Sequence, residues 1–329
     1  MEEGKGRVCV TGGTGFIGSW IIKRLLEDGY TVNTTIRTDP ERKKDISFLT
    51  NLPGASQNLK IFSANLSNPE SFNDAIEGCI GVFHTATPFD FEQNEPEEIV
   101  TKRTIDGALG ILKACKNSKT VKRVVYTSSA SAVFWQDKDE DVMDESYWSD
   151  ENFLRNLKPF AWSYSISKTM AEKAVLEFGE QHGLDVVTII PTFVLGPFIC
   201  PKLPGSIYTT LSFLFGDKNP FGCSRLHMVH VDDIARAHIF LLEHPNPKGR
   251  YNCSPYIANI EEITQIISAK YPEFHFHIPT LIDELKGIKG DKLPHLISEK
   301  LMDAGFEFKY SLEEMLDDTI QCCKENGYL

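Results

Sequence analysis

Residues 8–20 read VCVTGGTGFIGSW: a short apolar run, then glycines at 12, 15 and 18, then an apolar helical pattern. Small residues at that spacing let the chain turn tightly after a strand, approach a pyrophosphate closely and seat the next helix on the sheet. The helix N-terminus supplies amide donors and a positive dipole. A glycine repeat alone is weak evidence, but here a strand and a helix flank it as the dinucleotide fingerprint requires. Gly12, Gly15 and Gly18 are therefore expected to cradle a nucleotide phosphate.

Outward from this unit the first half alternates short apolar runs with longer helical patterns, the signature of strand-helix-strand units around a parallel sheet. Strands are predicted near 7–11, 31–36, 59–63, 80–84, 122–126 and 185–190, and helices near 16–28, 40–51, 69–77, 97–117 and 162–182. The fold class is α/β, a Rossmann-type doubly wound parallel sheet. After Ile190 the prolines 191, 197, 201 and 204 break the pattern. Beyond them come a helical run near 205–216, a helix near 232–243 starting at Asp232 or Asp233, a strand near 249–252 and helices near 259–271 and 311–326. The expected division is a nucleotide-binding domain of residues 1–190 with about 225–245, and a smaller discontinuous α/β substrate lobe of 191–224 and 246–329.

Composition bounds the function. The chain has 329 residues, 24% charged and 41% hydrophobic, enough to bury a large core. A net charge of −12 disfavours nucleic acid and anionic membrane surfaces as partners. No apolar stretch approaches the roughly 20 residues of a membrane span, and MEEGKGRVCV lacks a secretory pattern, so the expected location is cytoplasmic. The eight cysteines are scattered without a Cys-x-x-Cys pair, which reads as reduced thiols and no metal site.

At the end of the second strand an NAD-selective site places a carboxylate for the ribose 2′-hydroxyl. This chain has Arg37 there, followed by Arg42, Lys43 and Lys44 in VNTTIRTDPERKK. Such cations pair with a 2′-phosphate, so the expected cofactor is NADPH/NADP+, with Arg37 the best-placed residue. Arg42 and Lys43 also read simply as a solvated helix face.

FAWSYSISKTMAEK, residues 160–173, puts Tyr164 and Lys168 four apart on one helix face. A phenol with a pKa near ~10 is a poor acid at neutral pH, and a nearby ammonium is expected to lower it. Tyr164 could then protonate a carbonyl oxygen as hydride reaches its carbon. VVYTSSASA, at the end of the strand near 122–126, offers a hydroxyl to hold the same oxygen, and Ser128 and Ser129 both qualify by position. In LHMVHVDD, His227, His230, Asp232 and Asp233 resemble metal ligands, but Asp232 or Asp233 reads as a helix N-cap and His230 as a core histidine. His275 and His277 alternate on one face of a possible strand and need no functional role.

TGGTGFIG, the TSS after a mid-chain strand and Tyr-x-x-x-Lys together resemble the extended short-chain dehydrogenase/reductase superfamily. GVFHTATPFDF, DESYWSD, SKTMAEKAVLEF, IIPTFVLGPFI and MVHVDDIARAHIFLLE extend the resemblance, nearly end to end, to its plant dihydroflavonol reductase group. The resemblance implies catalysis by Ser129, Tyr164 and Lys168, which favours Ser129 over Ser128. It further implies cofactor contacts from Gly12, Gly15, Phe16, Ile17, Gly18, Arg37, Lys44, Asn65, Leu66, Thr85, Ala86, Thr87, Pro191, Thr192, Phe193, Val194 and Ser206, besides Tyr164 and Lys168. Asn65 stands where the group generally has aspartate, so that contact carries over less well.

Substrate contacts are expected from Ser129, Phe134, Tyr164 and His227. Dihydroflavonol reductases usually place Asn or Asp where Phe134 stands, followed here by Trp135; an apolar wall suits a differently oriented or methoxylated ring. The function so implied is NADPH-dependent reduction of the C4 ketone of a 2′-hydroxyisoflavanone, with a dihydroflavonol or another aromatic carbonyl as the alternative. AWSYSISK differs from the NWYCYGK-like segment of cinnamoyl-CoA reductases. Arg37 argues against an NAD-retaining nucleotide-sugar epimerase, and the Tyr/Lys pair against a non-catalytic NADP-sensing regulator. The family and the acidic surface permit a monomer.

Overall fold

The computed structural model describes residues 5–37, 45–88, 95–137, 140–216, 225–274 and 293–329. The chain opens with β1 (Arg7–Thr11), α1 (Phe16–Glu27) and β2 (Thr31–Ile36). Short helices α2 (Ser47–Thr50) and α3 (Ala55–Asn58) lead to β3 (Leu59–Ser63), and α4 (Asn73–Ile76) to β4 (Gly81–His84). Next come α5 (Glu97–Ser118), β5 (Arg123–Thr127), β6 (Val142–Met143), α6 (Glu151–Leu157), α7 (Trp162–His182) and β7 (Asp185–Pro191). The remainder holds β8 (Phe193–Leu195), α8 (Gly205–Thr210), β9 (Arg225–His230), α9 (Val231–Glu243), β10 (Gly249–Cys253) and β11 (Tyr256–Asn259). It closes with α10 (Ile260–Lys270), β12 (His295–Leu296), α11 (Glu299–Asp303) and α12 (Leu312–Glu325).

Seven strands form one parallel sheet in the order β10-β7-β5-β4-β1-β2-β3. Helices cover both faces, which is why the strands read as continuous apolar runs rather than alternating ones. Val8 and Val10 face α1 and α9 through Ile21, Leu25, Ile234 and Leu241. Cys9, Val82 and Val124 face the other layer, where Ile76, Ile111 and Val175 come from α4, α5 and α7. The order reverses between β1 and β4, so a crevice opens at their carboxyl ends, the place where such sheets bind nucleotides.

A three-stranded sheet, β11-β9-β8, forms the second lobe with α8, α10 and α12 around Leu195, Ile207, Met228, Ile263, Met315 and Ile320. β6 and β12 add a two-stranded ribbon. The strand near 249–252 is expected in this lobe, but β10 instead extends the large sheet, pairing with β7 from Gly249↔Val187 to Cys253↔Pro191.

Other expectations need correcting. The helical run at 205–216 stops at Thr210 and finishes as a 3-10 turn, Ser212–Phe215. The helix near 69–77 begins as a 3-10 turn, with Pro69 at its start, and becomes α-helical only at Asn73. Of the helix near 40–51 only α2 falls among the described residues; Arg42, Lys43 and Lys44 lie outside them, as do Cys223, His275 and His277. The helix α9 starts at Val231, and its cap is the His230 ring, whose Nδ1 accepts from the Asp232 amide at 3.0 Å. The other ring nitrogen faces the Asp318 carboxylate at 3.3 Å, and the ring stacks on Tyr310 at 3.7 Å.

Freed from capping, Asp232 joins α1 to α9. Its buried carboxylate accepts from Trp20 Nε1 at 2.9 Å, from Arg24 Nε and from the Tyr310 hydroxyl at 3.2 Å. Asp232→Ala removes one member of a buried network and strands an indole N–H, at a cost of about 3 kcal/mol. The urea midpoint should fall accordingly, whereas an unchanged midpoint contradicts the role given to this contact.

Candidate active site

The glycine loop closes by backbone contacts that leave no room for side chains. Gly12 sits at φ +74°, and a Cβ on Gly18 would lie 2.5 Å from the Gly12 carbonyl oxygen. Gly13, absent from the expected set, is as constrained, because a Cβ there would meet Thr34 Oγ1 at 2.1 Å. The doubled glycine of the TGGTG run carries that signal in the sequence. The N-cap of α1 is Gly15, with no side-chain cap and no acidic residue in the first turn. An uncapped helix start with glycine clearance fits the pyrophosphate of a dinucleotide.

Around this loop the strand ends are tied together by hydroxyls. Thr85 Oγ1 donates to the Thr11 carbonyl at 2.7 Å, and the Ala86 amide donates to Thr11 Oγ1 at 3.2 Å. His84 Nδ1 also meets Thr11 Oγ1 at 2.9 Å; burial, with the Lys168 charge nearby, pushes its pKa down to about 3, so the ring is neutral. Ser206 Oγ donates to the Val194 carbonyl at 2.8 Å, joining α8 to β8. Phe16 packs edge-on against Phe198. Arg37 is exposed at the end of β2. Asn65 is exposed too, and its side-chain oxygen accepts from the Ser67 amide at 3.0 Å, so it stabilises its own turn. Leu66 packs towards Gly107 of α5.

The second cluster lies on α7 and the end of β5. The helix can be buried between α5 and the sheet because its polar positions are small hydroxyls that return to the backbone: Ser165 to Ala161, Ser167 to Ser163 and Thr169 to Ser165. Lys168, 3% exposed, donates from Nζ to the Thr127 carbonyl at 2.8 Å and to Thr87 Oγ1 at 3.1 Å. The Thr127 hydroxyl is occupied by His238 of α9 at 2.7 Å. Burial draws the Lys168 pKa down to about 8, against the opposing pull of Glu172. The expected lowering of Tyr164 by the ammonium is not the leading effect. Enclosure of the phenol raises its pKa, and a hydrogen bond with Ser129 pulls it back.

Geometry separates the two serines. Ser128 is buried, and its hydroxyl donates to the Glu172 carboxylate at 2.6 Å, away from Tyr164. Ser129 is extended, at φ −159° and ψ 147°, and its Oγ accepts from the Ser131 amide at 3.2 Å. Its hydroxyl also hydrogen-bonds the Tyr164 phenol, so the two groups sit side by side at the end of β5. A carbonyl there would meet two hydroxyl donors, the arrangement that stabilises a developing alkoxide.

Beyond Ser129 the Phe134 ring, partly buried, lies 5.0 Å from the His227 ring. His227 itself is buried, with Nδ1 3.3 Å from Ser254 Oγ; burial and His295 push its pKa down to about 3. Trp135 is buried in a cluster with Leu154 and Ile166, against which Phe134 also packs.

A Rossmann sheet with an uncapped glycine loop and a Ser/Tyr/Lys group at its switch point defines a nicotinamide-dependent oxidoreductase. The chain belongs to the NAD dependent epimerase/dehydratase family, whose model matches residues 8–254. Over 329 residues it is 68% identical to vestitone reductase of Medicago sativa, covering all of both chains. The crystal structure of that enzyme superposes with a TM-score of 0.88 at 65% identity, over 99% of this chain and 100% of the other. The bifunctional dihydroflavonol 4-reductase/flavanone 4-reductase of Malus domestica is 46% identical over 98% of this chain and 91% of its own length. The structure of Gre2 from Candida albicans in complex with NADPH is 25% identical, with a TM-score of 0.81, over 97% of this chain and 99% of the other. The chain is thus an oxidoreductase of the dihydroflavonol reductase type, acting on a ketone. Among the described residues, no helix is long and apolar enough to cross a membrane.

Gly18→Ala forces the loop apart at the Gly12 carbonyl and should weaken nicotinamide cofactor binding by about tenfold or more. Quenching of tryptophan fluorescence on titration reads this directly; an unchanged affinity contradicts the phosphate-cradle assignment.

Proposed function

We propose that the chain uses NADPH to reduce the C4 ketone of a 2′-hydroxyisoflavanone, of which vestitone is the model, to the alcohol. The observation that carries the substrate class is the Phe134–His227 wall beside Ser129. An apolar ring against a neutral imidazole accepts a flat aromatic face, where an amide or carboxylate would select ring hydroxyls. The similarity to vestitone reductase along the full chain supports the same reading.

In this reading the nucleotide would be held at the carboxyl ends of the sheet strands, with Gly12, Gly15, Phe16, Ile17 and Gly18 receiving the pyrophosphate. Thr85, Ala86, Thr87, Pro191, Thr192, Phe193, Val194 and Ser206 line its path. Arg37 favours NADPH over NADH by pairing with the 2′-phosphate; Lys44 completes that pair, and Asn65 with Leu66 flanks the adenine. The ketone enters from the lobe built by 191–224 and the residues after β10. The cofactor supplies hydride to the carbonyl carbon. Ser129 would hold the carbonyl oxygen and ease the Tyr164 proton, Tyr164 would give that proton to the oxygen, and Lys168 would bind the nicotinamide ribose one turn along the helix.

Tyr164→Phe should lower kcat by about 10²-fold or more while leaving NADPH affinity nearly intact. Near-normal turnover in that variant sinks the mechanism. Arg37→Ser should erode the preference for NADPH over NADH, measured as the ratio of kcat/KM. Phe134→Asn should shift the kcat/KM ratio towards dihydroquercetin and away from vestitone by about tenfold. If the ratio does not move, Phe134 is not the wall that sets the substrate.

A further inference from the structure

SKTMAEK, residues 167–173, places Glu172 four residues beyond Lys168, one helical turn along the same face of α7. Its carboxylate is fully enclosed, at 0% exposure. It accepts from Ser128 Oγ at 2.6 Å, from the Thr188 hydroxyl on β7, and from Arg250 on β10 through Nε at 3.0 Å and Nη2 at 3.1 Å. Arg250 is itself buried, its remaining nitrogen donating to the carbonyls of Glu145 at 2.9 Å and Tyr147, with its guanidinium 3.5 Å above the Trp148 ring. A buried ion pair is an inefficient source of stability, because desolvation offsets most of its attraction. Its position against the Ser129/Tyr164/Lys168 group gives it another use.

We infer that Glu172 is a positioning residue for the reduction: clamped by Arg250, its carboxylate turns Ser128 inward so that Ser129 faces the cleft, and it sets a negative charge one turn below the Lys168 ammonium. The inference rests on the roles proposed above for Ser129, Tyr164 and Lys168. The steric half follows from the backbone. The Ser128 amide is fixed to the Ile189 carbonyl at 2.8 Å, and Ser129 is extended, so consecutive side chains leave opposite sides. Holding Ser128 on one side holds Ser129 on the other.

The electrostatic half follows from what surrounds Lys168. The partners of its Nζ, the Thr127 carbonyl and Thr87 hydroxyl, are uncharged. Facing it are His84 from β4, kept neutral by burial, and Tyr126 from β5, whose ring lies 5.2 Å from Nζ and whose phenol burial keeps protonated. On its own helix are Tyr164 and Glu172. Arg250 approaches from β10 on the far side of Glu172, and Glu97 of α5 reaches α7 only at Ser167, through Thr101. Glu172 is the anion in this set that opposes the desolvation of Lys168.

The test is the pH profile of kcat for vestitone reduction with saturating NADPH, for the wild-type chain, Glu172→Gln, Arg250→Met and the double variant. Removing the carboxylate should move the alkaline limb, where Lys168 loses its proton, down by about 1 pH unit in Glu172→Gln, and by a smaller amount in the double variant, where loss of the more distant Arg250 charge partly offsets it. Arg250→Met alone leaves the carboxylate without its countercharge and should move the limb up. The double variant removes both charges together and leaves none buried unpaired, so it keeps the test open if Glu172→Gln fails to fold. Circular dichroism confirms folding before the profiles are compared. A folded double variant whose alkaline limb coincides with that of the wild type, with only its melting temperature changed, overturns the inference and leaves the pair a purely structural one. Absence of turnover in the wild-type chain overturns the functional reading instead.

Discussion

The chemistry of this fold is organised around one buried positive charge. Lys168 is 3% exposed, and an ammonium taken out of water must be met by oxygen atoms at fixed places. The carbonyl that ends β5 and the hydroxyl of Thr87 after β4 meet it, so the charge pins two neighbouring strand ends to the middle of α7. The helix can come close enough because its neighbouring positions are serines and threonines that satisfy themselves on the preceding turn. Tyr164 then lies one turn earlier over the same strand end, and Ser129 two residues beyond Thr127. Displace the ammonium and the ends of β4 and β5 lose their common tie to α7.

The glycine loop imposes the complementary constraint from the next strand. Backbone approaches at Gly12, Gly13 and Gly18 set the distance between α1 and the sheet, and Thr11 carries that geometry to His84, Thr85 and Ala86 through paired hydrogen bonds. The two clusters meet across the reversal in strand order. The crevice between them runs from an uncapped helix start to the Tyr164 helix. The second lobe brings His227 on β9 against the Phe134 that follows Ser129.

What the sequence disclosed was what is local. The apolar run before TGGTGFIG, the period of α1 and the i,i+4 relation of Tyr164 to Lys168 are all contained within windows of a turn or two, and the structure reproduces them. Ser128 and Ser129 were indistinguishable by position, because the partner that separates them, Glu172, is 44 residues away. The ion pair from Glu172 to Arg250 spans 78 residues, and nothing in the pattern around YNC announces that β10 returns to the large sheet. The short strands β6, β8, β11 and β12 hold two to four residues each, too few for an alternation to emerge. At α9 the local signal misled: Asp232 and Asp233 are good capping residues, yet tertiary demand from Trp20 and Arg24 took Asp232, and His230 became the cap. In contrast, the start of α6 carries an ordinary local signal, since Asp150 caps it through the amides of Asn152 and Phe153.

The central claim is that the Ser129/Tyr164/Lys168 group, bounded by an apolar wall, reduces an isoflavanone-type ketone with NADPH. The most direct measurement is the loss of NADPH absorbance by the purified protein with vestitone, dihydroquercetin and an aromatic aldehyde in parallel, repeated with NADH. Vestitone with NADPH should give the highest kcat/KM. Preference for dihydroquercetin contradicts the substrate assignment while sparing the catalytic group, and no turnover with any of the three contradicts the account as a whole.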